Sequence, residues 1–371
     1  MCKNESGLAR DFWAERGIAL GEEQEIRIEL TRSYSGISLE MPIVVRRAAE
    51  PGPTVFISAA VHGDEINGTG VVQRLVTDPP FALKRGTLLL IPVVNLLGFE
   101  RHDRYLPDRR DLNRSFPGST TGSLASRIAH VVTTEIIENC DYGIDIHTAA
   151  IRRTNFPNVR ADLTDRRTAA FARGFGAELL LSGEGPDGSL RRAACERGCP
   201  TFVVEAGETW KVEPAILEFV TRGITNALIK LNMVEGERVL PSYRIETDTT
   251  NWVRAQEGGF LQFHVAPGDL VRRDQPLATN RALTGRVQNT LVSPVNGVVV
   301  GMTTMPSVAP GDPVVHLAYC RRGELLRVEK TLDELPDDSL YERLRGELAT
   351  NVTVVDWHDD FVVEELPTEP S

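Results

Sequence analysis

The sequence predicts a mixed α/β layer followed by an all-β module, and three observations carry that reading. Between about residues 40 and 234, short runs rich in Val, Ile and Leu alternate with segments of helical period, as in a sheet flanked by helices. After Pro241 the helical period stops, and Gly258-Gly259, Pro267-Gly268-Asp269, Asn296-Gly297 and Pro310-Gly311-Asp312 punctuate short apolar runs. The chain of 371 residues also exceeds what one hydrophobic core usually serves, so about two domains are expected.

In chain order, strands are expected at 43–46, 54–60, 87–94, 142–146, 178–181 and 201–204. They are nearly all apolar, as strands covered on both faces must be. The clearest helix runs over 214–233, where Leu217, Val220, Ile224, Leu228 and Leu231 recur at intervals of three and four. Pro214 suits its first turn, and one face should pack on the sheet. No further long helix is expected until 336–348, with Leu340, Leu344 and Leu348 in register, before an acidic end. The domains therefore read as 1–240 for the α/β part, 241–325 for the β-rich part, and 326–371 for the last helix and acidic tail.

Composition narrows the function classes. With 41 Lys+Arg against 52 Asp+Glu, the net charge of -11 repels phosphate backbones and anionic lipid, so no nucleic acid or membrane partner is expected. The opening residues lack a signal-peptide apolar core, and no stretch approaches the roughly 18 apolar residues of a membrane span. A cytoplasmic protein is the expectation. Five scattered cysteines suit reduced thiols better than a disulfide framework, and Cys195 and Cys199, four apart, read as helix neighbours. A homo-oligomer is left open.

The chemistry concentrates where apolar strands end. The run from Val55 leads into His62-Gly63-Asp64-Glu65, a turn with a helix behind it, and the run from Tyr142 ends in His147. Ligands gather at the carboxyl ends of strands in open α/β sheets. Two imidazoles and a carboxylate there suit zinc with an open position for water. A helix-capping His62, a first-turn Glu65 and a strand-terminating His147 would explain the same residues without a metal. Glu205 ends a third apolar run, where a carboxylate could act as general base. Asp145 precedes His147 by two and so shares its strand face, as a carboxylate orienting a ligating imidazole would. The polar stretch 152–160 follows closely and could line the site with Arg152, Asn155 and Arg160; Gly188-Ser189-Leu190-Arg191 invites the same reading more weakly. The remaining histidines, His102, His130, His264, His316 and His358, read as surface or packing residues.

Together, His62-Gly63-Asp64-Glu65, the stretch from Arg104 through Asp111-Leu112-Asn113-Arg114 to Gly118, Asp145-Ile146-His147-Thr148, Val204-Glu205-Ala206-Gly207-Glu208 and the β-rich end resemble the succinylglutamate desuccinylase/aspartoacylase family of the zinc carboxypeptidase superfamily, over about residues 50 to 320. The resemblance implies a zinc carboxypeptidase-like fold with one zinc per chain, held by His62, Glu65 and His147. It implies that Glu205 activates water, that Arg104 polarises the scissile carbonyl, and that Asn113 with Arg114 hold the substrate's carboxylate. Independently, an Asn-Arg pair is a sensible reader of an amino-acid head, because a guanidinium matches a carboxylate with two parallel hydrogen bonds.

The β-rich end looks like a biotinyl/lipoyl-type barrel-sandwich, but a swinging cofactor needs a lysine and 241–320 contains none. Within the family resemblance this module is a cap that limits the site to small substrates. The expected activity is zinc-dependent removal of an acyl group from a small N-acyl amino acid. A zinc carboxypeptidase acting on short peptides and a non-catalytic metal- or ligand-binding member are the alternatives.

Overall fold

Parallel strands covered on both faces have no solvent side on which to spend polar residues, and the computed structural model places the apolar runs accordingly. It describes residues 11–32 and 36–349, together with positions 352, 354, 355 and 357. His358 and most of the acidic tail lie outside the described residues. The chain divides into two units, one of residues 1–148 and 157–246, the other of 149–156 and 247–371. Residues 149–156 join the second unit through backbone pairing, a long-range choice that local composition does not record.

The first unit contains α1 (Phe12–Glu15), β1 (Glu23–Arg32), β2 (Ser38–Arg47), β3 (Glu50–Ala59), α2 (Asn67–Thr77), β4 (Arg85–Ile91), α3 (Leu96–Glu100), α4 (Leu124–Glu135) and β5 (Tyr142–His147). After β6 (Arg153–Ala161), whose first residues belong to the second unit, come α5 (Arg166–Phe175), β7 (Leu179–Ser182), α6 (Leu190–Glu196), β8 (Thr201–Glu208), α7 (Pro214–Lys230) and β9 (Ile245–Thr247). The strands order as β1-β2-β4-β3-β5-β8-β6, with β7 paired to β6 and β9. The sheet is mixed, since β1, β2 and β4 pair antiparallel whereas β4, β3, β5 and β8 run parallel. Phe56 joins a core with Ile128, Ala129 and Leu190 of α4 and α6, while Ile57, which alternation puts on the opposite face, is also fully buried.

Three elements depart from the sequence reading. β1 carries Ile26, Ile28 and Leu30 between charged residues; an antiparallel strand with one solvated face alternates, and a search for continuous apolar runs passes over it. The polar stretch 152–160, where no strand was expected, is mostly strand β6, with Thr154, Asn155 and Asn158 buried. Helix α8 (Arg322–Asp333) was not expected, because only Leu325 and Val328 of its residues are buried. In α7 the buried stripe is Ile216, Phe219, Val220, Ile224, Ala227 and Leu228, one residue out of step with Leu217. Cys199 lies beyond the end of α6; it and Cys195 flank Thr201 instead, whose N–H donates to Cys195 Sγ at 3.4 Å.

The second unit is strand-rich: β10 (Thr250–Arg254), β11 (Gly259–Phe263), β12 (Leu270–Val271), β13 (Pro276–Arg281), β14 (Val287–Val292), β15 (Gly297–Thr303), β16 (Ser307–Val308) and β17 (Pro313–Tyr319), then α8 and α9 (Leu340–Ala349). One antiparallel sheet is β14-β13-β11-β16. β15 pairs with β12, β17 and residues 153–155, and β10 pairs with β17. Leu261, Phe263, Val271, Leu277, Val299, Val315 and Leu317 share one core. Among the described residues of the whole chain, no helix is long and apolar enough to cross a membrane.

Candidate metal centre and active site

The three strand ends that carry the chemistry are neighbours. β3, β5 and β8 lie side by side in parallel register, and His147 sits directly across from Glu205. The turn after β3 brings His62 and Glu65 to the same edge. Its Gly63 packs on the chain at Gly98 so tightly that a Cβ would lie 2.0 Å from the Gly98 carbonyl carbon and 2.2 Å from the Phe99 nitrogen. Only glycine fits there, so the ligand turn is seated on α3 by contact and not by its sequence alone.

His62, Glu65 and His147 are all buried, with ligand atoms within 4.8 Å of one another. Both imidazoles present Nδ1 to the Glu65 carboxylate, His62 to Oε1 at 2.7 Å and His147 to Oε2 at 2.8 Å. Each ring's far nitrogen meets another carboxylate. His147 Nε2 is 2.8 Å from Asp145 Oδ2, and His62 Nε2 is 3.2 Å from Asp111 Oδ1. Asp145 is itself fixed by the Ser58 hydroxyl, which donates to Oδ1 at 2.8 Å. Such outer carboxylates set which ring nitrogen carries the proton and leave Nδ1 as the lone-pair donor. Two nitrogens and a carboxylate oxygen converging on one point, each imidazole backed in this way, are a donor set that fits a divalent cation such as zinc.

The electrostatics follow from this crowding. Burial works to raise the Glu65 carboxyl, yet the charges of His62 and His147 outweigh it and hold the group far below the ordinary carboxylate range. Asp111 is likewise held low against burial by its hydrogen bond and charge interaction with His62 and by Arg104. Burial lowers the His147 imidazole, but Asp145 and then Glu65 push it well above its usual value. Asp64, buried and next to Glu65, is raised.

Arg104 joins the cluster, its Nη1 donating to Glu65 Oε1 at 3.0 Å and its Nη2 to Asp111 Oδ2 at 3.2 Å. Asn113 is half committed: its Oδ1 accepts the Leu190 N–H at 2.8 Å, which ties the loop to the start of α6. Its amide nitrogen is the end of the side chain suited to a carboxylate. Arg114 is exposed and donates from Nη1 to the Asn113 carbonyl at 2.6 Å. Glu205 is half-buried, with Arg160 Nη1 at 3.7 Å from Oε1. Arg152 and Asn155 belong to the second unit, where Asn155 pairs with Gly301 and the Arg152 carbonyl accepts the Thr304 N–H.

Sequence reasoning assigned no role to Asp111, although it precedes Asn113 by two in a stretch already singled out; the contact to His62 spans 49 residues and has no local signature. Arg191, read more weakly from the sequence, is buried. The residue is 7% exposed, its Nη1 has no hydrogen-bond partner, and burial followed by the charge of Arg160 pulls the guanidinium down to about 10. The charges of Glu205 and Asp145 act in the opposite sense. The helix that places it, α6, is the one Asn113 anchors.

Comparison with known proteins agrees with this geometry. The model of the succinylglutamate desuccinylase/aspartoacylase catalytic domain matches residues 51–231. The chain is 29% identical over 296 residues to the N-alpha-acetyl-L-2,4-diaminobutyric acid deacetylase of Halomonas elongata, covering 75% of this chain and 85% of that protein. A succinylglutamate desuccinylase/aspartoacylase structure from Rhodobacter sphaeroides is 26% identical with a TM-score of 0.69, over 80% of this chain and 96% of the other. The product-bound ectoine utilization protein EutE of Ruegeria pomeroyi superposes with a TM-score of 0.71 at 23% identity, over 80% and 95%.

Proposed function

The chain belongs, through residues 51–231, to the succinylglutamate desuccinylase/aspartoacylase family, and from that premise we propose that it is a zinc-dependent deacylase of small N-acyl amino acids. The observation that carries the reading is the convergence of His62 Nδ1 and His147 Nδ1 on Glu65, with Glu205 on the adjoining strand. The deacetylase relative favours an acetyl group on the amino nitrogen.

In this reading His62, Glu65 and His147 hold one zinc ion per chain. Zinc held by such ligands supplies a Lewis acid that makes water acidic enough to attack an amide at neutral pH. Glu205 takes the proton from the attacking water and delivers it to the leaving nitrogen, a general acid-base task. Arg104, on the same point as Glu65, presents its guanidinium to the oxygen that gains charge. The Asn113 amide and the Arg114 guanidinium grip the substrate carboxylate, and Arg191 offers its unpartnered Nη1 to a substrate oxygen. Asp145 and Asp111 keep the imidazoles aimed. Arg160 holds the Glu205 carboxylate from one side. We infer that the second unit is a barrel-sandwich, supported by its antiparallel sheets and single core.

The test is elemental analysis of purified protein together with hydrolysis of N-acetyl-L-2,4-diaminobutyrate, N-acetyl-L-aspartate, N-succinyl-L-glutamate and a set of short peptides. About one zinc per chain and turnover of an N-acyl amino acid are expected. Peptides of four or more residues turning over as fast would replace the deacylase with a carboxypeptidase.

A further inference from the structure

Beside the proposed base, a second buried group of polar side chains closes on one point and has no part in the chemistry above. Asn67, fully buried, opens α2 two residues after Glu65. Its Oδ1 accepts the Glu213 N–H at 2.8 Å, and its Nδ2 donates to Glu213 Oε2 at 2.8 Å and to the Ala206 carbonyl at 3.4 Å. The same Glu213 Oε2 accepts the Glu208 N–H at 2.9 Å. Between these two amides the chain bends at Gly207, with φ +75°, where a Cβ would fall 2.1 Å from Glu213 Oε2.

Glu213 precedes the first turn of α7, a position where a short Ser, Thr, Asp or Asn normally accepts a helix N–H. Its carboxylate makes no such bond. The longer side chain turns from its own helix to the segment that leaves β8, which an optimal cap could not reach. Asn67 completes the span from the ligand turn to the residues on the far side of Glu205.

We propose that Asn67 and Glu213 are positioning residues that fix Glu205 relative to Glu65 by fastening Ala206 and Glu208 to the first residue of α2. The inference rests on Glu205 being the base. Displacing a reacting group by about 1 Å can cost about 100-fold in rate, so the expected signature is a loss in kcat without loss of metal or substrate binding.

The experiment compares Glu213→Ala, Glu213→Gln and Glu205→Gln as zinc-loaded full-length proteins, reading zinc content, kcat and KM on the fastest N-acetyl amino acid, and hydrogen exchange at the Glu208 amide. Glu213→Ala should lower kcat about 10- to 100-fold, leave KM within about threefold and zinc at the wild-type level, and speed exchange at Glu208. Glu213→Gln should keep most of kcat, since one amide oxygen can accept both N–H groups. Should Glu213→Ala fail to fold, Glu213→Asp, one methylene short of the contact, carries the same expectation. Zinc loss, equal damage from Ala and Gln, or wild-type kcat with accelerated exchange at Glu208 would each overturn the positioning role. Undiminished turnover in Glu205→Gln would instead remove the base assignment and this inference with it, whereas an inactive Glu205→Gln beside a fully active Glu213→Ala removes the positioning alone.

Discussion

Asp145 offers the sharpest test of how the ligand set is oriented. Its carboxylate, fully buried, accepts from the Ser58 hydroxyl at 2.8 Å and meets His147 Nε2 at 2.8 Å. Asp145→Ala leaves the imidazole N–H and the hydroxyl without an acceptor, and nothing then prefers the tautomer with its lone pair on Nδ1. Loss of such an outer partner typically weakens metal affinity by about 10- to 100-fold, or about 1.4 to 2.7 kcal/mol. Asp145→Asn should be milder, toward the lower end. Its amide oxygen can face His147 while its NH2 donates to Ser58, because a hydroxyl accepts as readily as it donates. Competition against a chromophoric chelator measures the zinc affinity of each variant. The expected order is wild type, then Asn, then Ala. An Asp145→Ala protein that binds zinc within twofold of wild type, or an Asn variant weaker than the Ala one, would refute the assigned orientation.

Glu205→Gln should retain full zinc and lose about 100- to 10,000-fold in kcat; a variant within threefold of wild type by initial-rate assay places the base elsewhere. Arg191→Met should cost about 10- to 100-fold in kcat/KM, the worth of a charge-assisted hydrogen bond of about 1.5 to 3 kcal/mol. Thermal unfolding of that variant should not fall, because a buried group whose Nη1 lacks a partner is costly to the fold; a lower Tm with unchanged kinetics would make Arg191 structural. Asp11 is held below its usual range against burial by the hydrogen bond and charge of the buried Arg47 and by the Ala14 N–H. A depressed carboxyl stabilises the fold above its unfolded pKa and ceases to do so as pH falls through the folded one. Urea midpoints of wild type and Asp11→Asn should therefore differ at pH 7 and converge below about pH 4.

What the sequence discloses depends on the range of each interaction. The apolar runs ending at Ala59, His147 and Glu205 are visible one residue at a time, because burial on both faces leaves a continuous local imprint, and the family motifs mark the side chains that end them. The strand β1 is less visible, since its charged solvent face interrupts the run. Thr154, Asn155 and Asn158 read as a polar loop because their burial comes from strands distant in sequence. The same holds for the site. His62 and Glu65 announce themselves by spacing, whereas Asp111 and the burial of Arg191 emerge only when residues far apart in the chain are brought together.

The adjacency of β3, β5 and β8 has a consequence for the order in which the molecule comes to life. His62 and Glu65 can meet within a turn, but the contact from Glu65 to His147 closes a loop of 82 residues, and Glu205 reaches His147 only through a parallel pairing further along the chain. Such non-local parallel pairings are among the last and slowest events of folding. A chain still growing on the ribosome therefore owns only two of the three proposed ligands. On the proposed ligand assignment, metal acquisition waits on the pairing of β3 with β5, and zinc retention would report that the central sheet has closed.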